Sequence, residues 1–384
     1  MFIFLSCVDP FEPSAKIFED LLVVEAIVTD EFKKQSIILT RSYKFETELP
    51  VMETGAMVVV MDNLGNDFQF EETEVGKYVS QNPFKIEGDK EYTLLIVTAD
   101  GKSYRSTPER LQQPVGIDNV YANRIKDDLG TDGMAISIDN SDNTGLAKYF
   151  RYEYEETYKI IAPFWLAYDF KIVGLASVNE MTRVYDFDVD TGEAVIIAPK
   201  DEEERVCYTT NRSNKIILGT TNGLDENRLV NFKIRFIESE NYIISHRYSI
   251  LVKQFVISPD AYNYYRKLRD IASSESLLSQ NQYGFLVGNM VSQSNPDEKI
   301  IGFFEVSSVS TSRLFFNYKD YYPTESLPPY INECRPILSI SLIDQVRADL
   351  VHFNDRPGEL IVIPRECGDC TALGSNVKPE FWID

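Results

Sequence analysis

The chain has 384 residues, 43% hydrophobic and 12% aromatic, which is ample for packed cores and excludes a disordered chain. Its 60 acidic and 38 basic residues leave a net charge of −22, which argues against nucleic acid or direct docking on anionic lipid. Beyond Cys7 no stretch approaches the ~18 uninterrupted apolar residues of a spanning helix, so an anchored chain of about two domains is expected.

The N-terminus opens on an apolar run that closes at a cysteine, Phe4-Leu5-Ser6-Cys7, followed by Val8-Asp9-Pro10-Phe11-Glu12-Pro13. A small residue and then Cys after an apolar run is the pattern at which bacteria attach lipid to a thiol and cleave before it. This reading makes Cys7 the lipidation site and the mature N-terminus. A secretory signal carries a charged start and an apolar core of about 7–15 residues. Only Met1 to Ser6 precede Cys7, without Lys or Arg, so the reading expects a curtailed signal whose start lies upstream. Residues 1–20 are then signal remnant and tether, since the prolines cannot continue a helix. Each buried methylene contributes about 0.8 kcal/mol, and stable anchoring takes more than one acyl chain, which a diacylated cysteine supplies.

Residues 21–110 read as an antiparallel, immunoglobulin-like β-sandwich. Leu22–Val28, Ser36–Thr40 and Gly55–Met61 are rich in residues that fit a pleated sheet, and Asp67-Phe68-Gln69-Phe70 alternates. Gly88–Val97 is followed by Asp100-Gly101, the signal of a tight hairpin with positive φ at both turn residues. Tyr92, just behind the Gly88-Asp89 corner, has the placement of a tyrosine corner. Pro108–Pro114 lacks periodicity and is expected to be a linker.

Residues 115–384 are expected to form a larger β-rich antiparallel domain. Ala135–Ile138, Tyr149–Tyr154, Thr182–Phe187, Phe232–Phe236 and Tyr248–Val252 alternate with period two. One helix is marked near 259–273: Ser258 as N-cap, Pro259 at the first position and Asp260 at the positive dipole end. Tyr264, Leu268, Ile271 and Ala272 then recur at helical spacing, and Ser274–Ser279 forms a polar lead-out. A second helix is expected near Ile343–Val351.

Cys207, Cys334, Cys367 and Cys370 remain when Cys7 is set aside. Four cysteines in an exported chain suggest two disulfides in one of three connectivities. Cys367-Gly368-Asp369-Cys370 can close on itself or tie the C-terminal segment to Cys207 and Cys334. A four-cysteine zinc site would normally show two close pairs, and only one exists. No redox strand-helix context flanks the Cys-x-x-Cys.

No catalytic constellation is found. The two histidines, His246 and His352, lack partners at metal-ligand spacing and read as structural. Asp186–Glu193 and Asp139–Gly145 place acids as calcium loops do, but Ile197 and Phe150 stand at their twelfth positions. The first run is expected to be a hairpin with Asp186 and Asp188 on its solvated face. No metal or cofactor is called for. Trp165 and Tyr168 are the candidate stacking platform for sugar rings, with Phe315-Phe316 and Tyr321-Tyr322 as further aromatics; core filling competes with that role.

The order of features resembles a known family. Cys7-Val8-Asp9-Pro10-Phe11 precedes Leu22-Val23-Val24-Glu25-Ala26-Ile27-Val28-Thr29. Tyr248–Gln254, Ser258–Leu268 and Val287-Gly288-Asn289-Met290 follow. Then come Gly302-Phe303-Phe304, Ser307–Ser310, Cys367–Cys370 and Lys378–Trp382. This is similar to the outer-membrane lipoproteins catalogued as domain of unknown function 4249 (DUF4249). The resemblance spans Cys7 to Trp382 and implies a lipid-anchored outer-membrane protein of Gram-negative bacteria. It further implies an accessory subunit of a TonB-dependent receptor-type β-barrel, and it brings no catalytic residue. Two functional readings follow: a non-enzymatic partner of such a barrel, or a stand-alone surface glycan-binding protein or hydrolase.

Overall fold

A computed structural model describes residues 20–42, 50–273, 286–338, 341–353 and 361–384. Cys7 with its tether, and the lead-out at Ser274–Ser279, lie outside the described residues. The chain is mainly β. In order run β1 (Leu22–Thr29), β2 (Ser36–Arg41), β3 (Val51–Met52), β4 (Met57–Asp62), β5 (Asp67–Glu74), β6 (Lys77–Ser80), β7 (Glu91–Val97), β8 (Ser103–Ser106) and β9 (Glu109–Arg110). There follow β10 (Asn119–Lys126), β11 (Asp132–Ser141), β12 (Tyr149–Ile161), β13 (Tyr168–Gly174), β14 (Val184–Asp188), β15 (Glu193–Pro199), β16 (Val206–Arg212), β17 (Ile217–Thr220), β18 (Arg228–Glu238) and β19 (Arg247–Val256). Next are α1 (Pro259–Ser273), β20 (Met290–Ser292), β21 (Ile300–Asn317) and α2 (Tyr318–Tyr321). Last come β22 (Ile337–Leu338), α3 (Leu342–Arg347), β23 (Leu350–Phe353), β24 (Ile361–Pro364) and α4 (Arg365–Gly368).

Two compact units result, and neither is one continuous stretch. The first takes the chain up to Pro114 together with Val256–Val309; the second takes Val115–Phe255 and Ser310–Asp384. This differs from the consecutive division expected from the sequence, because α1 and the first part of β21 belong with the N-terminal strands. The physical reason is a parallel pairing: β21 lies beside β1 from Leu22↔Ile300 to Thr29↔Ser307. That pairing holds Ile300–Ser307 beside the N-terminal strands.

In the first unit the strand order is β21-β1-β2-β6-β5-β4-β7-β8-β20, with β3 on β2 and β9 on β7. Alternation turns Leu22, Val24, Ala26 and Val28 inward while Glu25 faces out. Val24, Leu39, Val60, Ile96 and Phe304, drawn from strands far apart in this order, share one core. The sheet therefore surrounds its own interior, an arrangement compatible with a sandwich. The Glu87 N–H donates to Tyr92 Oη at 2.9 Å, which is the hydrogen bond of a tyrosine corner.

Two local expectations are corrected here. Only Gly101 of the Asp-Gly pair has positive φ (+83°), and Thr98 pairs with Lys102 across a three-residue loop with the glycine at its bulge. Pro108–Pro114 is not a free linker, because Glu109 and Arg110 pair with Tyr92 and Glu91. Helix α1 begins as read: Ser258 Oγ accepts from the Ala261 N–H at 3.2 Å, and the Tyr264 ring lies 5.5 Å from Phe303.

The second unit holds the order β16-β12-β19-β21, with β17 also on β12, beside three-stranded sheets β10-β11-β18, β13-β15-β14 and β22-β24-β23. Its interior carries a satisfied polar network. Asn140 Nδ2 donates to Tyr152 Oη and to Gln254 Oε1, and Gln254 Nε2 donates to the Val115 carbonyl at 2.9 Å. Buried amides tolerate such sites only when paired in this way. The second expected helix is shorter than Ile343–Val351. Asp349 adopts φ +65°, a left-handed turn that short polar side chains tolerate, and Val351 already lies in β23.

Candidate functional site

The Cys-x-x-Cys segment does not close on itself. Cys370 bonds Cys207 on β16, and Cys367 bonds Cys334, so two adjacent bridges fasten the C-terminal segment within the second unit. All four thiols are thereby consumed, which overrides the zinc alternative. The two residues between Cys367 and Cys370 let each sulfur reach a different partner, Cys207 on β16 and Cys334 outside any strand, and sequence spacing alone could not choose among the pairings.

Beside the clasp lies an open cleft of about 570 Å³. Lys200 Nζ stands 2.7 Å from Glu204 and 3.2 Å from Asp169, and donates to the Gly368 carbonyl at 3.3 Å. Burial opposes the Lys200 charge, but Glu204 and Asp169 outweigh it and hold the ammonium above its ordinary value. Arg365 pairs with Asp369 at 2.8 Å and with Asp349 at 3.3 Å. Lys200 and Arg365 are both committed to carboxylates and form an ion-pair network beside the clasp.

The sheet β13-β15-β14 has two unlike faces. Phe170, Ile172, Val195 and Ile197 pack into a core with Leu342 and Ile343 of α3. The register Val173↔Ala194 and Phe187↔Ala194 sets Val173 and Phe187 on the opposite face, joined by Ile196 and Val184. Phe187 is 56% exposed, and Leu175, Met181 and Val189 in the flanking turns are exposed as well. The acidic run around it is neither a calcium loop nor fully solvated. Asp186 Oδ2 accepts from the Ile343 N–H at 3.0 Å, and Asp188 and Glu193 pair with Arg347, so the run fixes α3. Likewise Asp142 caps its own turn, accepting from Thr144 and Ala147.

Tyr168 is exposed at the start of β13 and Trp165 is half-buried just before it; in the same segment Phe164 stands edge-on to Phe353 at 5.1 Å. Among the other aromatics Phe316 and Tyr322 are buried, Phe316 packing on Tyr248 and Tyr322 stacking on Tyr318 at 4.5 Å, while Phe315 and Tyr321 are half-buried. His352 packs on Phe170 at 4.4 Å, and burial lowers its imidazole below the ordinary value. Among the described residues no group of three or more His, Cys, Asp or Glu is placed to hold a metal ion.

In the first unit Glu109 is the acid that sequence reasoning passed over. It is 8% exposed, accepts from Asn289 Nδ2 at 3.2 Å, and burial raises its carboxyl to about 7. Lying in a stretch that looked like a linker, it carried no periodic signal.

A family model described as a domain of unknown function (DUF4249) matches residues 8–313. No curated protein matches the chain. Among solved structures, the collagen adhesin CNA from S. aureus aligns at 8% identity over 77% of this chain and 94% of that one. Its TM-score of 0.10 carries no argument about fold.

Proposed function

We propose, from the premise that this chain belongs to the DUF4249 family, that it is a non-enzymatic outer-membrane lipoprotein and partner subunit of a TonB-dependent receptor-type β-barrel. Acylated Cys7 would hold it to the membrane, and the outer face of the β13-β15-β14 sheet would meet the barrel.

The observation that carries this reading is the exposed Phe187 on this sheet, with exposed Leu175, Met181 and Val189 in the flanking turns and half-buried Val173, Val184 and Ile196 on the same face. On a chain of net charge −22, such a grouping is unusual without a partner to cover it. An exposed aromatic such as Phe187 is the kind of side chain that anchors the centre of an interface.

Affinity purification of the full lipoprotein from mild detergent, with mass spectrometry of what accompanies it, tests the reading. A large β-barrel is expected to co-purify. Phe187→Asp should reduce its recovery about thirtyfold, as loss of an anchor worth about 2 kcal/mol does. Cys7→Ala should release the protein from the membrane fraction. Purification without any barrel, or unchanged recovery with Phe187→Asp, would overturn the docking assignment.

A further inference from the structure

The basic side chains around a second pocket of the second unit differ from the other cations described above. Lys200, Arg347 and Arg365 are each neutralised by carboxylates. The pocket of about 460 Å³ lined by Lys159, Ile161, His246, Arg247, Lys319 and Leu327 is built otherwise. Arg247 Nη1 donates to the Asn317 side-chain oxygen at 3.1 Å, its Nε donates to the Ile383 carbonyl, and its guanidinium lies 5.1 Å from the centre of the Phe315 ring. Lys319 donates to the Glu325 carbonyl. These partners position the cations and leave their charge uncompensated.

Lys159, half-buried on β12, has no carboxylate at ion-pair distance and no hydrogen-bond partner for its ammonium among the described residues. Burial and then the Lys159 charge hold the His246 imidazole below its ordinary value, so near neutral pH it enters as a neutral ring able to donate one N–H. At the pocket the Asp384 side chain pairs with Lys378 at 2.6 Å, and Lys378 and then the Lys159 charge hold its carboxyl below the usual range.

We propose that this pocket binds a small organic oxyanion, its carboxylate or phosphate group meeting Lys159, Arg247 and Lys319 and its apolar body resting on Ile161 and Leu327. Oxyanions find charge-assisted donors here that a partly desolvated setting strengthens. The net charge of the chain repels anions at long range, so a local excess of three cations serves recognition at contact rather than steering. This inference stands apart from the barrel reading, since it concerns a different surface.

Isothermal titration of the full chain at fixed ionic strength, with inorganic phosphate, acetate and benzoate as probes, tests it. Saturable binding in the ~1 mM range is expected for benzoate, tighter than for acetate because only benzoate uses the apolar wall. Lys159→Met should weaken binding at least about tenfold, and Lys319→Met should weaken it in the same direction. Lys85→Met, in the first unit, should leave it unchanged. Phosphate tighter than benzoate would keep the oxyanion site and remove the apolar-body assignment. No saturable heat from any probe up to ~10 mM overturns the proposal, as does equal binding by a folded Lys159→Met chain.

Discussion

Glu109 sits on β9, where its carboxylate accepts from Asn289 Nδ2 at 3.2 Å, hydrogen-bonds the Ser258 hydroxyl, and faces the charges of Asp260 and Glu305. Burial is the largest influence and raises its carboxyl from 4.5 to about 7; the two hydrogen bonds oppose that rise and the two neighbouring acids add to it. An acid whose folded value exceeds its unfolded value binds more protons when folded. The penalty is absent below pH 4.5, grows between 4.5 and about 7, and is complete above 7. About 2.5 units at 1.36 kcal/mol each come to about 3 kcal/mol. Glu109→Gln keeps the size and an acceptor for Asn289 while removing the charge. It should therefore stabilise the first unit by up to about 3 kcal/mol near pH 8 and change little near pH 4. Urea unfolding followed by far-UV circular dichroism across that range reads this out. Trp165 and Trp382 both belong to the second unit, so their fluorescence supplies an internal reference. A Glu109→Gln curve that runs parallel to the parent at every pH would refute the reasoning.

The disulfides should differ in worth. Chain entropy assigns about 5 kcal/mol to the Cys207–Cys370 bridge, at a separation of 163, and about 4 kcal/mol to Cys334–Cys367, at 33. The double serine variant at Cys207 and Cys370 should lose more stability than that at Cys334 and Cys367, measured by tryptophan fluorescence in urea; the reverse order would contradict the loop-length account. Gly302 has φ +136°, and a methyl group there would stand 2.1 Å from the Val24 carbonyl oxygen across the parallel pair. Gly302→Ala should cost more than about 3 kcal/mol, seen as a fall in thermal midpoint of the first unit; an unchanged midpoint would show that β1 and β21 can part at no cost.

Much of the secondary structure was legible because alternation is local. The expectations for β1, β2, β4 and β19 land within a few residues, and β12 starts as expected but runs on to Ile161; α1 also lands closely, its cap, proline and acidic second position being neighbours in sequence. Errors fell where a distant group decided. Pro108–Pro114 looked irregular until β7 offered Glu109 and Arg110 a partner. Val351 fitted a helical spacing but was drawn into a strand against Ile363. Asp186 and Asp188 looked solvated, yet α3 arrives from more than 150 residues away and uses both. The candidate surfaces were the least legible. Phe187 reads as one more alternating aromatic, and Lys159 as one more surface cation, until burial and pairing are known.

By itself the sequence determined the β character, the capped helix, the acidic surface and an even set of cysteines, because propensity, periodicity and charge are properties of neighbouring residues. Only the tertiary structure decided that Val256–Val309 completes the first unit, that Cys370 seeks Cys207 and Cys367 seeks Cys334, and which cations go without a carboxylate. Those outcomes turn on which hydrogen-bonding edges and side chains meet after long loops have closed. Loop closure costs only a slowly rising entropy with length, so chain separation barely discriminates among the possible partners. The choice falls to packing and to satisfied backbone groups, as where β1 accepts β21 at the one glycine that lets Val24 come close.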